Sequence, residues 1–124
     1  MRNYRDLQVW NKAQNLTLGL YGLSRGFPRE EIYGVTSQMR RAAVSIGANL
    51  AEGCGRRTSS ELARFVRIAM GSASELDYRL LLSQDLGFMN GDDCTRTASE
   101  LTEVRKMFTS FLSSVEEQIE VTKY

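Results

Sequence analysis

Met39, Ala43, Ile46 and Leu50 follow one another at spacings of four, three and four. Wound at 3.6 residues per turn they form one unbroken apolar seam, the pattern of a helix that faces a core. No strand has this period. Ala43, Gly47 and Ala51 lie beside the seam, where missing side-chain bulk lets another helix come close. A glycine inside a helix costs roughly 1 kcal/mol relative to alanine, so Gly47 points to close packing. On the other side Arg41, Ser45, Asn49, Glu52 and Arg56 make a polar stripe at the same period. One segment thus supplies both core and chemistry.

The rest of the chain repeats the pattern. Asp6 is the expected cap of a first helix to about Ser24, with Leu7, Trp10, Ala13, Leu16, Leu20 and Leu23 on its apolar side. Gly26, Phe27 and Pro28 end it. In the connector that follows, Phe27, Ile32 and Tyr33 are expected to tuck back against the bundle. The second helix runs from about Val35 to Ala51 or Gly53, stopped by Gly53 and Gly55. Thr58 with Glu61 forms a capping-box pattern. It opens a third helix carrying Leu62, Phe65, Ala69, Ala73, Leu76, Leu80 and Ser83. The small residues Gly71, Ser72, Ala73 and Ser74 make that helix the close partner of the second. Gly87 ends it, and Asn90, Gly91 and Asp92 form a turn whose aspartate is expected to cap a fourth helix with Leu101, Val104, Phe108, Phe111, Val115 and Ile119 on one side. Four such helices with short connectors predict an all-α, antiparallel up-down four-helix bundle, one domain over residues 1–124.

Composition then excludes several functions. The 124 residues contain no histidine, so Ser-His and Cys-His nucleophile pairs and Glu-x-x-His di-metal sites cannot be built. Cys54 and Cys94 stand forty residues apart without Cys-x-x-Cys spacing, which argues against a zinc site or disulfide framework. Glu52 and Glu75 are the only central acids that look placed, and the bland reading pairs them with Arg41, Arg56 or Arg79 across helices or subunits. The chain is expected to be no enzyme and to need no cofactor or metal. No apolar run is long enough to span a bilayer, and the first residues lack a signal-peptide core, so a cytoplasmic protein is expected.

The net charge of +1 hides thirteen arginines against three lysines. Arginine's planar fork suits phosphate and carboxylate alike, so the count does not choose between RNA and protein. Arg40, Arg41, Arg56, Arg57, Arg64 and Arg67 crowd into the middle of the chain, whereas Asp92 to Tyr124 holds seven acids against four bases. The six arginines are the candidate nucleic-acid surface, about one helix pair wide. Against this stands a solvated or salt-bridged face, since no RNA-reading module or interleaved aromatic is present. Tyr4, Trp10, Tyr33 and Tyr78 are candidate self-association anchors, with core packing as the alternative for each.

Several blocks together carry a resemblance. They are Asp6 to Trp10 with Ala13; Phe27, Pro28 and Glu30; Tyr33 and Gly34; Gln38 with Arg40 to Ile46; Asn49 with Ala51 to Gly53; Phe65, Ala69, Gly71 to Ala73, Glu75 and Leu76; and Leu86 with Gly87. In order along nearly the whole chain, they resemble a four-helix bundle family first noticed as open reading frames in intervening sequences of bacterial 23S rRNA genes. The resemblance implies a homopentamer, a ring-like barrel with a central channel. A distant branch comprises accessory proteins of diversity-generating retroelements, whose basic barrel binds nucleic acid and a reverse transcriptase. Carried over, Arg40, Arg41, Ser45, Asn49, Glu52, Arg56, Ser72 and Glu75 occupy the family's polar positions. Of these, Arg41, Ser45, Asn49, Glu52, Ser72 and Glu75 are expected at an oligomer interface or channel. The leading expectation is a non-catalytic homo-oligomer that binds structured RNA or a ribonucleoprotein. The alternative is a structural or adaptor oligomer that binds a protein and no nucleic acid.

Overall fold

In the computed structural model, which describes residues 2–122, the chain forms four long helices. They are α1 (Gln8–Ser24), α2 (Val35–Cys54), α3 (Ser59–Asp85) and α4 (Gly91–Thr122), with short 3-10 turns at Tyr4–Asp6 and Arg29–Glu31. No strand occurs among the described residues. Each helix packs on the two beside it, α1 on α2 and α4, α3 on α2 and α4, and the α2–α3 contact is the most extensive. Contacts at the two ends fix an up-down-up-down course. At one end the α1–α2 and α3–α4 connectors meet, Phe27 against Phe88 with ring centroids 5.8 Å apart. At the other, Arg2 donates its backbone N–H to the Cys54 carbonyl, where α2 ends, and its guanidinium to Gln118 near the end of α4.

The expected seams form the core. Met39, Ala43, Ile46 and Leu50 are fully buried, as are Leu20, Ala69, Ala73, Leu76 and Phe108. Burying a leucine- or phenylalanine-sized side chain stabilises a fold by about 1.5–3 kcal/mol, so these positions hold the bundle together. Polar groups inside are mostly answered locally. Thr17 on α1 donates to the Ala13 carbonyl at 2.9 Å and approaches the Ala43 carbonyl of α2 at 3.2 Å.

The helix ends depart from expectation in three places. Asp6 lies in the first 3-10 turn and caps nothing; Leu7 occupies the N-cap of α1 in an extended conformation, without a side-chain hydrogen bond. Asp92 sits inside the first turn of α4, and the cap is Asn90, whose Oδ1 accepts from the Asp93 N–H at 2.8 Å. The residue where the chain turns from extended to helical is the one whose side chain can reach the free N–H groups, and that is one position after Asp6 and two positions before Asp92. Gly53 does not stop α2, which continues to Cys54 with Gly55 at its C-cap. Thr58 does cap α3, accepting from the Glu61 N–H at 3.1 Å, and Gly87 follows α3 with φ +80°, a conformation glycine adopts without strain.

Gly53 has a packing role instead. A β-carbon there would lie 2.8 Å from the Phe65 Cβ and 3.0 Å from Leu62 Cδ1, so the missing side chain sets how closely α2 approaches α3. Gly47 lets α2 approach α1, since a Cβ there would lie 3.3 Å from Trp10 Nε1. In the connector, Phe27 is buried as expected, but Ile32 is half exposed and Tyr33 is 92% exposed. Neither tucks back, because the 3-10 turn at Arg29–Glu31 carries them outward while Glu31 caps α2 through the Val35 N–H.

Two alanine substitutions are expected to act in opposite directions. Gly53→Ala forces backbone-adjacent atoms apart and should destabilise the bundle by about 1–3 kcal/mol. Gly71→Ala, in a helix interior with open space around it, should stabilise the single chain by roughly 0.5–1 kcal/mol. Urea melts of both variants would check the pair.

Candidate nucleic-acid and subunit interfaces

The six arginines do not make one surface. Arg40 and Arg41 precede Arg56 by about four turns of α2, which at 1.5 Å per residue separates them by roughly 22 Å. Arg40 lies against α1, its guanidinium 4.6 Å above the Tyr21 ring and its Nε donating to Ser24 Oγ at 2.8 Å. Arg41 is exposed and donates to Gln38 Oε1 at 2.7 Å. Arg67 points the other way, toward α4, and pairs with Glu116 at 3.3 Å.

Arg56 and Arg64 do come together, at the α2–α3 turn, where Arg57 follows Arg56 in the chain and is exposed. The Phe65 ring is buried beneath two of them: the guanidinium carbons of Arg56 and Arg64 stand 4.9 and 4.5 Å from its centroid. Cation–π contacts of this kind contribute about 0.5–1 kcal/mol at exposed sites and hold the planar groups in place. Arg56 also pairs with Glu52 at 2.7 Å, one turn back on α2. Arg57 and Arg64 make no ion pair among the described residues. Sequence periodicity assigns Phe65 to the core alone. Its second role is legible in part, because it directly follows Arg64 and is the second residue of the seam beside an arginine-rich turn.

The polar stripe of α2 meets α3 at a second place. Ser45 and Ser72 Oγ atoms lie 2.8 Å apart, and Asn49 Nδ2 donates to both the Ser45 carbonyl and its hydroxyl oxygen, at 2.8 and 2.9 Å. With its oxygen accepting from Asn49, the Ser45 hydroxyl has its hydrogen free for Ser72. Arg41 and Glu75 border the same notch, a hollow of about 70 Å³. Half-exposed Val44 and Ile68 flank it on α2 and α3, and neither carries chemistry of its own. Glu52 stands apart from the notch, tied to Arg56, and Glu75 pairs with Arg79 at 3.4 Å. Both acids therefore pair with the arginine four residues further along the chain, and not across helices. Such surface pairs contribute about 0–1 kcal/mol.

The expected anchors divide as well. Trp10 is taken up by packing, edge-on to Tyr4 at 4.9 Å and over Gly47, whereas Tyr33 and Tyr78 stand in solvent. Among the described residues no three of His, Cys, Asp or Glu gather as metal ligands, and no helix is long and apolar enough to cross a membrane.

A fold of four sequentially packed helices with this polar α2–α3 face can be set beside known proteins. The family model of the 23S rRNA-intervening sequence proteins matches residues 5–110. The chain belongs to this family. A crystal structure of a protein of unknown function from the S23 ribosomal protein family of Bacteroides thetaiotaomicron superposes with a TM-score of 0.78 at 22% identity, covering 84% of this chain and 97% of that one. At that identity the likeness speaks for the fold. No curated protein matches the chain.

Neither cysteine sits beside a base that could activate it. Burial raises the Cys54 thiol above its ordinary pKa despite the nearby Arg2, and burial together with Asp77 and Asp85 raises Cys94. A raised pKa keeps both thiols protonated at neutral pH, and the thiol is the unreactive form. Alkylation of the folded protein by iodoacetamide at pH 7 should therefore be at least tenfold slower than in urea, as read by mass spectrometry.

Proposed function

We propose that this intervening-sequence family protein is a non-catalytic, cytoplasmic homo-oligomer that binds nucleic acid, structured RNA or a ribonucleoprotein, through the arginine corner at the α2–α3 turn. The observation that carries the reading is the placement of Arg57 and Arg64, unpaired and exposed, beside a third guanidinium stacked with Arg64 on Phe65. Guanidiniums held in place by an aromatic ring lose little freedom when they meet phosphate oxygens. A single copy offers too few phosphate contacts for tight binding. Repetition of the corner around a symmetric assembly turns weak contacts into avidity on one ligand.

The assembly uses the α2–α3 outer face. Val44 and Ile68, exposed on either side of the Ser45–Ser72 notch, give it apolar area, and Arg41 and Glu75 give it polar register. Five copies in a ring accord with the resemblance, and a reverse transcriptase is a partner only by distant analogy. The same face also favours the second reading, an adaptor whose ligand is a protein, because its chemistry does not itself require nucleic acid.

Arg57→Ala with Arg64→Ala should weaken RNA binding at least tenfold and lower the slope of log affinity against log salt by roughly 0.7–0.9 per lost contact. Arg40→Ala, tied to α1, should change neither. Filter binding over a salt series reads both, and unchanged affinity in the double variant removes the corner as the binding surface. Ile68→Asp, exposed in the single chain, should lower the mass seen by light scattering while the helical signal stays; an unchanged mass places the subunit contact elsewhere.

A further inference from the structure

On the opposite side of α3 from the Ser45–Ser72 notch, α3 and α4 enclose a groove of about 530 Å³. Leu80 and Cys94 form its floor, both buried, with the Cys94 thiol donating to the Leu80 carbonyl at 3.7 Å. The floor is therefore apolar and has its polar groups answered. Tyr78 and Leu81 stand above it, 57% and 54% exposed, although each is large enough to fill a core position. Ala98 on the α4 side is small, so an incoming backbone can come close.

The rim is acidic. Asp77 lines the groove, and Asp85 lies near enough that both aspartates act on the Cys94 thiol. Asp77 is answered by Arg105, at 3.8 Å, which also reaches Ser74 Oγ at 3.1 Å, whereas Asp85 has no ion pair among the described residues. The other grooves differ in this respect. Between α1 and α4 the walls are joined by the Lys12–Glu103 pair, and beside Tyr21 the cation Arg40 is already stacked and hydrogen-bonded.

We infer that the α3–α4 groove is a docking site for a basic amphipathic helix of a partner protein. Its lining runs from Ser74 to Gln84, which at 1.5 Å per residue is roughly 15 Å, or about three helical turns. That length accepts apolar side chains at i, i+3 or i+4, and i+7, laid against Tyr78, Leu81 and Ala98. Lysine or arginine flanking those anchors meets Asp77 and Asp85, and the same acids repel a phosphate backbone. The groove thus selects a different class of ligand from the arginine corner and does not rest on that corner's role.

The test is selection of twelve-residue helical peptides from a random display library on the full-length protein, followed by anisotropy with the enriched sequences. Enrichment of basic sequences with that apolar spacing is expected. Their affinity should fall at least tenfold for Leu81→Asp, several-fold for Asp85→Lys, and not at all for Arg57→Ala with Arg64→Ala. Bound peptide should also slow alkylation of Cys94. Tyr78→Ala gives a second, milder change should Leu81→Asp alter the helical signal. No enrichment, enriched sequences without basic residues, or equal binding by the Leu81 and Tyr78 variants overturns the proposal. So does a drop in the protein's own mass with Leu81→Asp, which would make the groove a contact between copies.

Discussion

The distance between α2 and α3 governs the rest of this bundle. It is set at Gly53, where any β-carbon would press into Phe65 and Leu62. Protein interiors pack at crystal-like density, so one missing side chain fixes a helix crossing as firmly as a large one. The consequence travels in two directions. Toward the core, α2 and α3 come close enough for Ile46, Leu50, Ala69 and Ala73 to be sealed from water. Toward the surface, Ser45 and Ser72 come within hydrogen-bonding distance. Core and polar face are therefore products of the same close approach.

The same closeness explains the arginine corner. Phe65 is held at the α2–α3 crossing by contact with the Gly53 backbone, and its ring is where Arg56 from one side of the turn and Arg64 from the other converge. Two like charges are kept near one another because each gains a ring quadrupole and because water screens them. The Arg56–Glu52 pair lowers the local charge, which leaves Arg57 and Arg64 as the groups with free donors. On the function proposed above, these two guanidiniums are the groups left to meet phosphate oxygens.

The helices were legible in the sequence because burial at period 3.6 writes itself into residue choice: the four seams name most of the core, although Val9, Ala42, Ala63 and Val66 are buried beside them and Trp10, Leu23 and Ile119 stay partly exposed. Local choices with two solutions were less legible. Asp6 and Asp92 look like caps, yet capping depends on where the backbone leaves the extended region, and Leu7 and Asn90 occupy those positions. Gly53 reads as a stop or as a close contact, and only the neighbouring helix decides. Tyr33 and Ile32 lie in a connector with no period to say which way they point. The six arginines read as one surface because sequence shows type and spacing, while the roughly 22 Å from Arg41 to Arg56 appears only when the helix is built. Ser45 and Asn49 were found together because a shared helix stripe is itself geometric information, whereas Ser72, on another helix, joined them only through the family resemblance.

Charge then separates what one small bundle can do on its different faces. Arg64 near the start of α3 and Asp85 at its end make no ion pair among the described residues, and they are separated along the helix by roughly 32 Å at 1.5 Å per residue. At physiological ionic strength the screening length is about 8 Å, so neither group feels the other through solvent. Between them α3 carries both signs, but Arg67, Glu75, Asp77 and Arg79 are each taken up by an ion pair and present little net field to a ligand. On the two readings proposed above, an anionic ligand at the α2–α3 turn and a cationic one at the α3–α4 groove therefore meet opposite open charges at the two ends of twenty-seven residues of continuous helix.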